Sequence, residues 1–211
     1  MRRRNVKRAH ERILEFDNIV LNPTDFIDFK EIFKNDHPLH MEIGMGKGKF
    51  IIEQALKNPD INYIGLEKYE SVILQALEKA KDLNISNLIF ICSDSNIADK
   101  FIKKGSISKI YLNFSDPWPK TRHIKRRLTS PLFLKVYEEI SIKPHIEFKT
   151  DNRELFAYSL ISFNNNGYEF LDLSLDLHQD KEEIITTEYE ERFIKENKPI
   201  YFIEVIKWIY M

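Results

Sequence analysis

The sequence predicts one α/β domain, in which helices cover both faces of a mostly parallel, seven-stranded sheet with an antiparallel hairpin at one edge. The chain has 211 residues and is 43% hydrophobic, so it can bury a substantial core. Strand and helix patterns alternate five times, as in a parallel sheet with crossover helices, and then change to strand, helical turn, strand. Because no linker interrupts this order, we expect residues 1–211 to form a single domain.

Each element follows from its periodicity and its flanking residues. Short apolar runs between turn residues predict strands, and apolar residues at helical spacing predict helices. The predicted strands are residues 39–43, 61–67, 88–92, 107–114, 143–149, 168–175 and 199–210. The predicted helices are residues 50–57, 69–81, 130–140, 152–163 and 187–196. Pro131 stands at a first helical position, where proline fits best, and Thr24-Asp25 is expected to cap an earlier helix that carries Phe26, Phe29 and Phe33.

Positive charge is concentrated at the start of the chain, although the net charge is only −1. The first dozen positions contain Arg2, Arg3, Arg4, Lys7, Arg8 and Arg12. Such a segment is typical of an arm that contacts phosphate, although basic tails are also often simply solvated. We expect residues 1–20 to form a mobile basic arm with a short amphipathic helix that includes Ile13 and Ile19.

Cysteine content and hydropathy indicate the compartment. Cys92 is the only cysteine, so no intramolecular disulfide can form, which suits a reducing cytosol. No window approaches the roughly 20 apolar residues of a membrane span, and no apolar segment follows the basic residues as in a signal peptide. The sequence therefore predicts a cytoplasmic protein without membrane contact.

A glycine-rich segment follows the first predicted strand and opens a helix. It contains Glu42, Gly44, Gly46 and Gly48, and its glycines allow a sharp turn and close approach of the backbone to a ligand. A dinucleotide fingerprint would have its third glycine one position later, where Lys49 stands. The spacing favours S-adenosylmethionine over a pyrophosphate, and a glycine turn without a ligand is the alternative.

Acidic residues also follow the next three predicted strands. Glu67, about 20 residues after the glycines, can accept both ribose hydroxyls of an adenosine. Asp94, in a turn with Asn96, is placed either to meet the adenine amino group or to cap a helix. Asp116 ends the fourth strand. Because parallel strands end at one sheet edge, we expect these acids and Glu42 to face one crevice.

Residues 112–128 combine a carboxylate, an aromatic ring and a cationic run. Pro117 and Pro119 stiffen the segment around Trp118, which either stacks on a base or packs the loop. The following cations, uninterrupted by any acid, are Lys120, Arg122, Lys125, Arg126 and Arg127. Several cations in one segment are typical of phosphate contact, with binding that weakens steeply as salt increases.

The stretch Asp116-Pro-Trp-Pro-Lys120-Thr-Arg122-His123-x-Lys125-Arg126-Arg127-Leu128 resembles the signature of the bacterial tRNA (guanine-N7)-methyltransferases. Residues 148–152 and 187–193 are similar to two further segments of that family. Glu42-Ile43-Gly44 and Gly65-Leu66-Glu67 are similar to its cofactor segments. The resemblance runs in order from about residue 40 to 195, with Met45 where a small residue is usual.

The resemblance implies a Rossmann-like class I methyltransferase fold and transfer of the methyl group of S-adenosylmethionine to N7 of a guanine in the variable loop of tRNA. It implies a cofactor side formed by Glu42, Gly44, Gly46, Gly48, Glu67, Asp94, Asn96 and Asp116. It implies a guanine side formed by Lys120, Asp151, Thr187, Glu188, Tyr189 and Glu190. It implies an RNA-contacting surface formed by Arg122, His123, Lys125, Arg126 and Arg127. No metal is expected, because His123 has no metal-like partner nearby in the sequence.

The implied reaction needs little acid–base chemistry. Guanine N7 has a lone pair and no proton, so no general base is required and acceleration should come from alignment. The methylated guanine is cationic, so we expect Asp116 to act catalytically by favouring the developing charge. Asp151 or Glu190 is expected to accept hydrogen bonds from guanine N1 and N2.

Two other functions compete with this prediction. Enzymes that methylate exocyclic amines of nucleic acids place Asn or Asp, two prolines and an aromatic residue in that order, whereas Trp118 here separates the prolines. A non-catalytic RNA-binding scaffold would be expected to have lost Glu42, the glycines or Glu67, and all are present. Monomer and homodimer are both compatible with the sequence.

Overall fold

The structure, a computed structural model, describes residue 6 and residues 8–208. The strands are β1 (Ile19–Leu21), β2 (Leu39–Ile43), β3 (Asn62–Glu67), β4 (Leu88–Cys92), β5 (Lys109–Asn113), β6 (His145–Thr150), β7 (Glu169–Ser174) and β8 (Tyr201–Ile206). The α-helices are α1 (Ala9–Ile13), α2 (Phe29–Phe33), α3 (Lys49–Lys57), α4 (Glu70–Ala80), α5 (Ala98–Phe101), α6 (Pro131–Ile140), α7 (Arg153–Asn165), α8 (Leu177–Asp180) and α9 (Glu188–Lys195). Short 3-10 helices cover Ser95–Ile97 and Thr121–Arg126.

All of these strands belong to one sheet, in the order β1-β4-β3-β2-β5-β6-β8-β7. The strands from β1 to β6 pair in parallel, whereas β8 is antiparallel to both β6 and β7. The predicted mostly parallel α/β sheet with an antiparallel edge is confirmed. The order along the chain reverses between β2 and β5, and in open α/β sheets ligands bind beyond the carboxyl ends of the strands at such a point.

The described sheet has eight strands, so the predicted number of seven is wrong. The additional strand, β1, pairs in parallel with β4, with Ile19 opposite Phe90 and Leu21 opposite Cys92. Three residues are too few to show the alternation that marks a strand in a sequence, and the partner lies about 70 residues away.

The start of the chain therefore divides into a helix and a strand. The sequence suggested a helix that includes Ile13 and Ile19, but α1 ends at Ile13 and Ile19 belongs to β1. The helix α1 packs on α4, with Ala9 and Ile13 buried. The basic residues Arg2, Arg3, Arg4 and Lys7 lie outside the described residues.

The helix α2 begins later than the sequence predicts. Asp28, rather than Thr24 or Asp25, is its N-cap, and its carboxylate accepts from the backbone N–H groups of Lys30 and Glu31. Phe26 lies outside the helix and is exposed, whereas Phe33 is buried. Asp28, three positions after Asp25, supplies the same capping chemistry, so local propensity alone did not separate the candidates.

Helices cover both faces of the sheet and form two main apolar clusters. One cluster joins α5, α6 and α7 to the sheet, with Phe101, Phe133 and Phe156 among its buried side chains. The other joins α1, α3 and α4 to the opposite face, with Phe50 and Leu77 buried there. These layers hold the parallel strands in register and leave their carboxyl ends to form the crevice described below.

Two features bear on membranes and metals. In the described part of the chain, no helix is both long and apolar enough to cross a membrane. Over the same residues, no group of three or more His, Cys, Asp or Glu side chains is arranged to hold a metal ion.

Candidate active site

The glycine turn after β2 is held against β3 and is open on its outer side. The backbone N–H groups of Gly44 and Met45 donate to the Leu66 carbonyl, at 2.8 and 3.2 Å. Gly44 and Gly46 have φ values of 74° and 58°, in the left-handed region that favours glycine. A Cβ atom added at either position would meet nothing within 4 Å. The turn therefore offers bare backbone to a ligand.

Gly48 has a packing role as well. A Cβ atom there would lie 2.7 Å from the Cβ of Ala76, so the glycine allows α3 to start close against α4. Met45, which replaces the expected small residue, is buried against Gly65, where an added Cβ would overlap its sulfur. The unusual methionine is thus accommodated by a glycine on the neighbouring strand.

Glu42 lies at the end of β2 and is almost completely buried. Its Oε1 accepts from the Asn113 side-chain amide of β5 at 2.8 Å, across the point where the strand order reverses. The other oxygen, Oε2, and Asn113 Oδ1 are buried without a hydrogen-bond partner in the described structure. Burial raises the pKa of Glu42 to about 8, against the opposing effects of Asn113 and the Lys149 ammonium.

Asn113 was not among the predicted site residues. Its signal in the sequence is a polar side chain at the last position of a buried strand, directly before the loop that contains Asp116. Ser115, two residues later, also has a buried hydroxyl without a partner in the described structure. Unpartnered buried polar groups are uncommon and often mark ligand sites.

Glu67 is fixed by backbone donors at the end of β3. Its Oε1 accepts from the N–H groups of Lys68 and Tyr69, at 2.8 and 3.1 Å, and its Oε2 accepts from Gly46 N at 3.3 Å. The carboxylate of Glu67 therefore lies beside the glycine turn, as the sequence predicts for two parts of one site.

Asp94 lies beyond β4 and caps the 3-10 helix at Ser95–Ile97. Its Oδ1 accepts from the backbone and side-chain N–H groups of Asn96, at 3.0 and 2.8 Å. Its other oxygen pairs with Lys68 Nζ at 2.5 Å. Partial burial would raise the pKa of Asp94, but the Lys68 and Asn96 donors outweigh it and lower this pKa. Asp94 therefore caps a helix, which is one of the two roles that the sequence allowed for it.

Asp116 is exposed beyond β5, after a sharp change in chain direction. Phe114 has a φ of 50°, and its ring packs on Tyr189 of α9 with centroids 5.4 Å apart. Burial, followed by the carboxylates of Asp151 and Asp116, raises the pKa of Tyr189, although Arg192 and other cations oppose it. Asp116, Asp151 and Tyr189 are therefore electrostatic neighbours at one end of the sheet.

The four predicted acids follow the strand order across the sheet. Glu42 and Glu67 lie at the carboxyl ends of β2 and β3, and Asp94 and Asp116 lie just beyond β4 and β5. These four strands are adjacent in the order β4-β3-β2-β5. This row of acids is not apparent from the sequence, because the order of the strands in the sheet differs from their order along the chain. The structure thus brings the predicted acids to one edge.

Arg127 holds the Pro-Trp-Pro loop through hydrogen bonds to its backbone carbonyls. This side chain is buried, donating from Nε to the Pro117 carbonyl at 3.0 Å and from Nη2 to the Trp118 carbonyl at 3.3 Å. Its guanidinium also lies 4.4 Å from the Tyr158 ring centroid. Arg127 is therefore buried within the protein, whereas Arg122, Lys125 and Arg126 are exposed.

The remaining cations lie on the exposed 3-10 helix at Thr121–Arg126. Lys120, its N-cap, and Arg122, Lys125 and Arg126 are exposed. The Arg126 guanidinium covers Trp118, 5.0 Å from the ring centroid. His123 meets the same ring edge-on with centroids 5.5 Å apart. Trp118 thus packs the loop, and its neighbours present positive charge to solvent.

The segment 187–190 starts α9 with a capping box. The Thr187 hydroxyl accepts from Glu190 N at 2.9 Å, and Glu190 Oε2 accepts from Thr187 N at 3.1 Å. Glu188 pairs with Lys79 of α4, and Tyr189 is 44% exposed. Glu190 is fully buried, so of the two predicted acceptors for guanine only Asp151 is partly accessible.

Three lysines that the sequence analysis missed hold this segment in place. Lys49 donates to Thr186 Oγ1 at 2.8 Å, Lys149 donates to the Ile185 carbonyl at 3.1 Å, and Lys79 donates to the Lys47 carbonyl at 3.1 Å. Lys79 thereby connects the glycine turn with Glu188. Only Lys149 had a signal, a lysine near the carboxyl end of a predicted strand and two residues before Asp151.

Solved structures share this fold. A 16S rRNA methyltransferase, KamB, superimposes with a TM-score of 0.63 at 13% identity and covers 89% of this chain and 95% of its own. A SAM-dependent methyltransferase from Aquifex aeolicus gives a TM-score of 0.58 at 11% identity, covering 85% of this chain and 87% of its own. At these identities the similarity establishes a Rossmann-like class I methyltransferase fold.

Sequence comparison identifies the family. Residues 36–203 match the model of a family described as "Putative methyltransferase". A tRNA (guanine-N(7)-)-methyltransferase from Bacillus cytotoxicus is 50% identical over 97% of this chain and 96% of its own length. Relatives with the same name from Listeria monocytogenes and Lysinibacillus sphaericus are 50% and 47% identical, and cover 93% and 97% of this chain. The chain therefore belongs to the family of tRNA (guanine-N(7)-)-methyltransferases.

Proposed function

We propose that this protein transfers the methyl group of S-adenosylmethionine to N7 of a guanine in the variable loop of tRNA, forming 7-methylguanosine. One observation carries the proposal: an open glycine turn and a row of four carboxylates meet an exposed cationic helix at the same sheet edge. The names of the relatives, at about half identity over nearly the whole chain, support the same reaction.

The residues beside the glycine turn fit S-adenosylmethionine. Its ammonium group is a multiple donor that suits the unpartnered Glu42 Oε2 and Asn113 Oδ1. Gly44 and Gly46 leave room for its close approach, and Glu67 lies beside them to accept ribose hydroxyls. When bound, this cofactor supplies an electrophilic methyl group on a sulfonium.

The adenine end would lie farther along the edge. Asp94 and Asn96 follow the neighbouring strand β4 and form one hydrogen-bonded turn. The Asp94 carboxylate is a suitable acceptor for an exocyclic amine, while its bond to Lys68 ties it to the ribose side. The proposed surface for S-adenosylmethionine would therefore run from Glu42 on β2, past the end of β3, to the turn after β4.

Asp116 is the proposed catalytic residue. It follows β5, next to the strand that carries Glu42, and its carboxylate is exposed, without an ion pair among the described residues. N7 attack needs no proton removal, so the residue would act through its negative charge, favouring the cationic purine that develops. The stiff Pro-Trp-Pro loop, tied by Arg127, would keep that charge in place.

The guanine would be read on the side of β6 and α9. Asp151 follows β6 and is the accessible carboxylate that can accept from guanine N1 and N2. Tyr189 presents an exposed ring beside it, and Lys120 starts the cationic helix on the other side. Thr187 and Glu188 form the start of α9, which supports Tyr189.

The RNA backbone would lie on the exposed 3-10 helix. Arg122, Lys125 and Arg126 present positive charge, with His123 between them. Such contacts give affinity without sequence information and orient the RNA, while the pocket selects the base. The whole chain would act as one domain on tRNA in the cytoplasm, with the basic residues at 1–20 adding phosphate contacts.

Incubation with methyl-labelled S-adenosylmethionine and unmodified tRNA tests the proposal. We expect one label per tRNA, released by cleavage chemistry selective for 7-methylguanosine, at a guanine of the variable loop. The matched control is the same tRNA with that guanine replaced by adenine, which should take up no label. Label on exocyclic amines would indicate the other enzymatic class, and no transfer would indicate an RNA-binding scaffold.

A further inference from the structure

A buried ionic cluster lies directly behind the guanine side of the site. It consists of Glu190 of α9, Lys149 of β6 and His178 of α8, and is called the Glu190 cluster below. Glu190 has no exposed surface, and the Lys149 side chain is only 3% exposed. Buried charges of this kind are costly unless they are paired and hydrogen-bonded.

The carboxylate of Glu190 uses both of its oxygens inside the protein. Oε1 pairs with His178 Nε2 at 3.0 Å. Oε2 accepts from Thr187 N at 3.1 Å and from Lys149 Nζ at 3.5 Å. One side chain thus joins a strand and two helices that are separate in sequence. No face of this carboxylate is open to a base.

The Glu190 cluster is connected to the proposed reacting groups by short paths. The Lys149 carbonyl accepts from Phe114 N at 2.9 Å, two residues before Asp116. Lys149 itself is two residues before Asp151. On the other side, Tyr189 packs between Phe114 and Phe193, with centroid distances of 5.4 and 4.8 Å. A shift of the cluster would therefore move Asp116, Asp151 and Tyr189 relative to one another.

We infer that Glu190 is a positioning residue for methyl transfer, which fixes the start of α9 through Lys149 and His178 and does not itself contact the guanine. This inference rests on the proposed function and refines it, because guanine recognition then falls to Asp151. Small displacements of aligned groups cost rate steeply, so a neutral residue at 190 should slow the transfer step.

The same sheet offers a matched control. Glu204 of β8 accepts from Lys109 Nζ at 2.9 Å and pairs with His145 Nε2 at 2.6 Å. These residues form a second Lys–Glu–His group, on β5, β6 and β8, near the amino ends of the parallel strands rather than at the crevice. Glu204→Gln removes a paired charge of the same type without touching the proposed site.

The test compares Glu190→Gln, Asp151→Asn and Glu204→Gln on tRNA that carries either guanosine or inosine at the target. Inosine lacks the 2-amino group, so a residue that accepts from N2 contributes to the preference for guanosine. Single-turnover rates are measured with saturating S-adenosylmethionine, and melting temperatures are measured in parallel.

We expect Glu190→Gln to slow transfer by about 10- to 100-fold on both RNAs and to leave the guanosine-to-inosine ratio unchanged. Asp151→Asn should reduce that ratio. Glu204→Gln should lower the melting temperature with a rate within about twofold of the parent. A ratio that collapses in Glu190→Gln would overturn the inference, as would a Glu190→Gln rate equal to that of Glu204→Gln.

Failure of the proposed function would look different. The unaltered chain would then transfer no methyl group to tRNA. In that case amide hydrogen exchange decides the inference: Glu190→Gln should speed exchange across 187–195, whereas Glu204→Gln should not. Equal exchange there in both variants would refute the fixing of α9 by Glu190.

Discussion

Glu42 is a carboxyl group held inside the protein with only part of its hydrogen-bonding capacity used. One oxygen accepts from Asn113 and the other has no donor in the described structure. Burial raises the pKa of this group to about 8, so the free protein keeps it largely neutral at pH 7. An incoming ammonium would favour the ionised form. Cofactor binding should therefore displace a proton.

This gives a pH-dependent prediction. We expect about one proton to be released per S-adenosylmethionine bound at pH 7, and affinity to rise roughly tenfold per pH unit up to about pH 8. Calorimetry in two buffers of different ionisation enthalpy measures the release. Glu42→Gln should abolish it. Equal heats in both buffers for the parent chain would contradict the prediction.

The same group affects stability. Its pKa in the folded protein lies above the ordinary glutamate value of 4.5, so the folded state holds the proton more tightly between about pH 4.5 and 8. The contribution of Glu42 to stability therefore falls as pH rises through that window and is lowest above it. Glu42→Gln should accordingly raise the melting temperature more at pH 9 than at pH 5, without bound cofactor.

Asp116 differs from Glu42 because it is exposed at the loop and forms no ion pair with the residues that the structure describes. Asp116→Asn keeps its shape and removes its charge. We expect the single-turnover rate to fall about 100-fold, with tRNA affinity changed less than about threefold. Asp60→Asn, an exposed acid in the turn before β3 at the opposite sheet edge, is the control. A loss confined to tRNA binding would show that Asp116 does not act on the chemical step.

At the scale of elements, residues 117–127 form a stiff loop and a 3-10 helix with two kinds of cation. Arg127 faces inward and bonds the Pro117 and Trp118 carbonyls, whereas Arg122 and Lys125 face solvent. The first kind maintains the loop and the second kind is available to phosphate.

These two kinds should separate in a salt titration. Arg122→Ala and Lys125→Ala should each lower the slope of log affinity for tRNA against log salt by roughly one. Arg127→Lys should leave that slope unchanged and cost about 1–3 kcal/mol of stability through the lost carbonyl bonds. Thermal unfolding and filter binding at several salt concentrations measure both effects. A reduced slope for Arg127→Lys would place this residue on the RNA.

The elements also show what a sequence can predict. The acids at the strand ends were found because a buried strand and the polar residue that ends it are neighbours in the chain. Asn113, Lys149 and the burial of Arg127 were not, because each depends on side chains that only tertiary packing brings together. β1 was missed because three residues carry no usable periodicity. Glu190 matched a family segment, yet its enclosure by Lys149 and His178 was visible only in three dimensions.

The whole molecule is a sheet in which the order along the chain and the order in space differ at both ends. β1 pairs with β4, which lies about 70 residues later in the chain. In the described sheet β7 pairs only with β8, the last described strand. Two of the site's supports, α1 on α4 and β8 beside β6, therefore depend on pairings between distant segments. The helices and the pair β2 and β3, by contrast, form from segments that are close in the sequence.

This strand order has a consequence for the newly made polypeptide. As the chain leaves the ribosome, β2 and β3 can pair early, whereas β1 must remain unpaired until β4 has emerged. β7, with its exposed apolar side chains at Phe170, Leu171 and Leu173, must wait for β8 to insert between it and β6. During that interval β6 and β7 each present an unpaired edge, which is the kind of edge that can pair with another chain, so we expect aggregation during folding to start there.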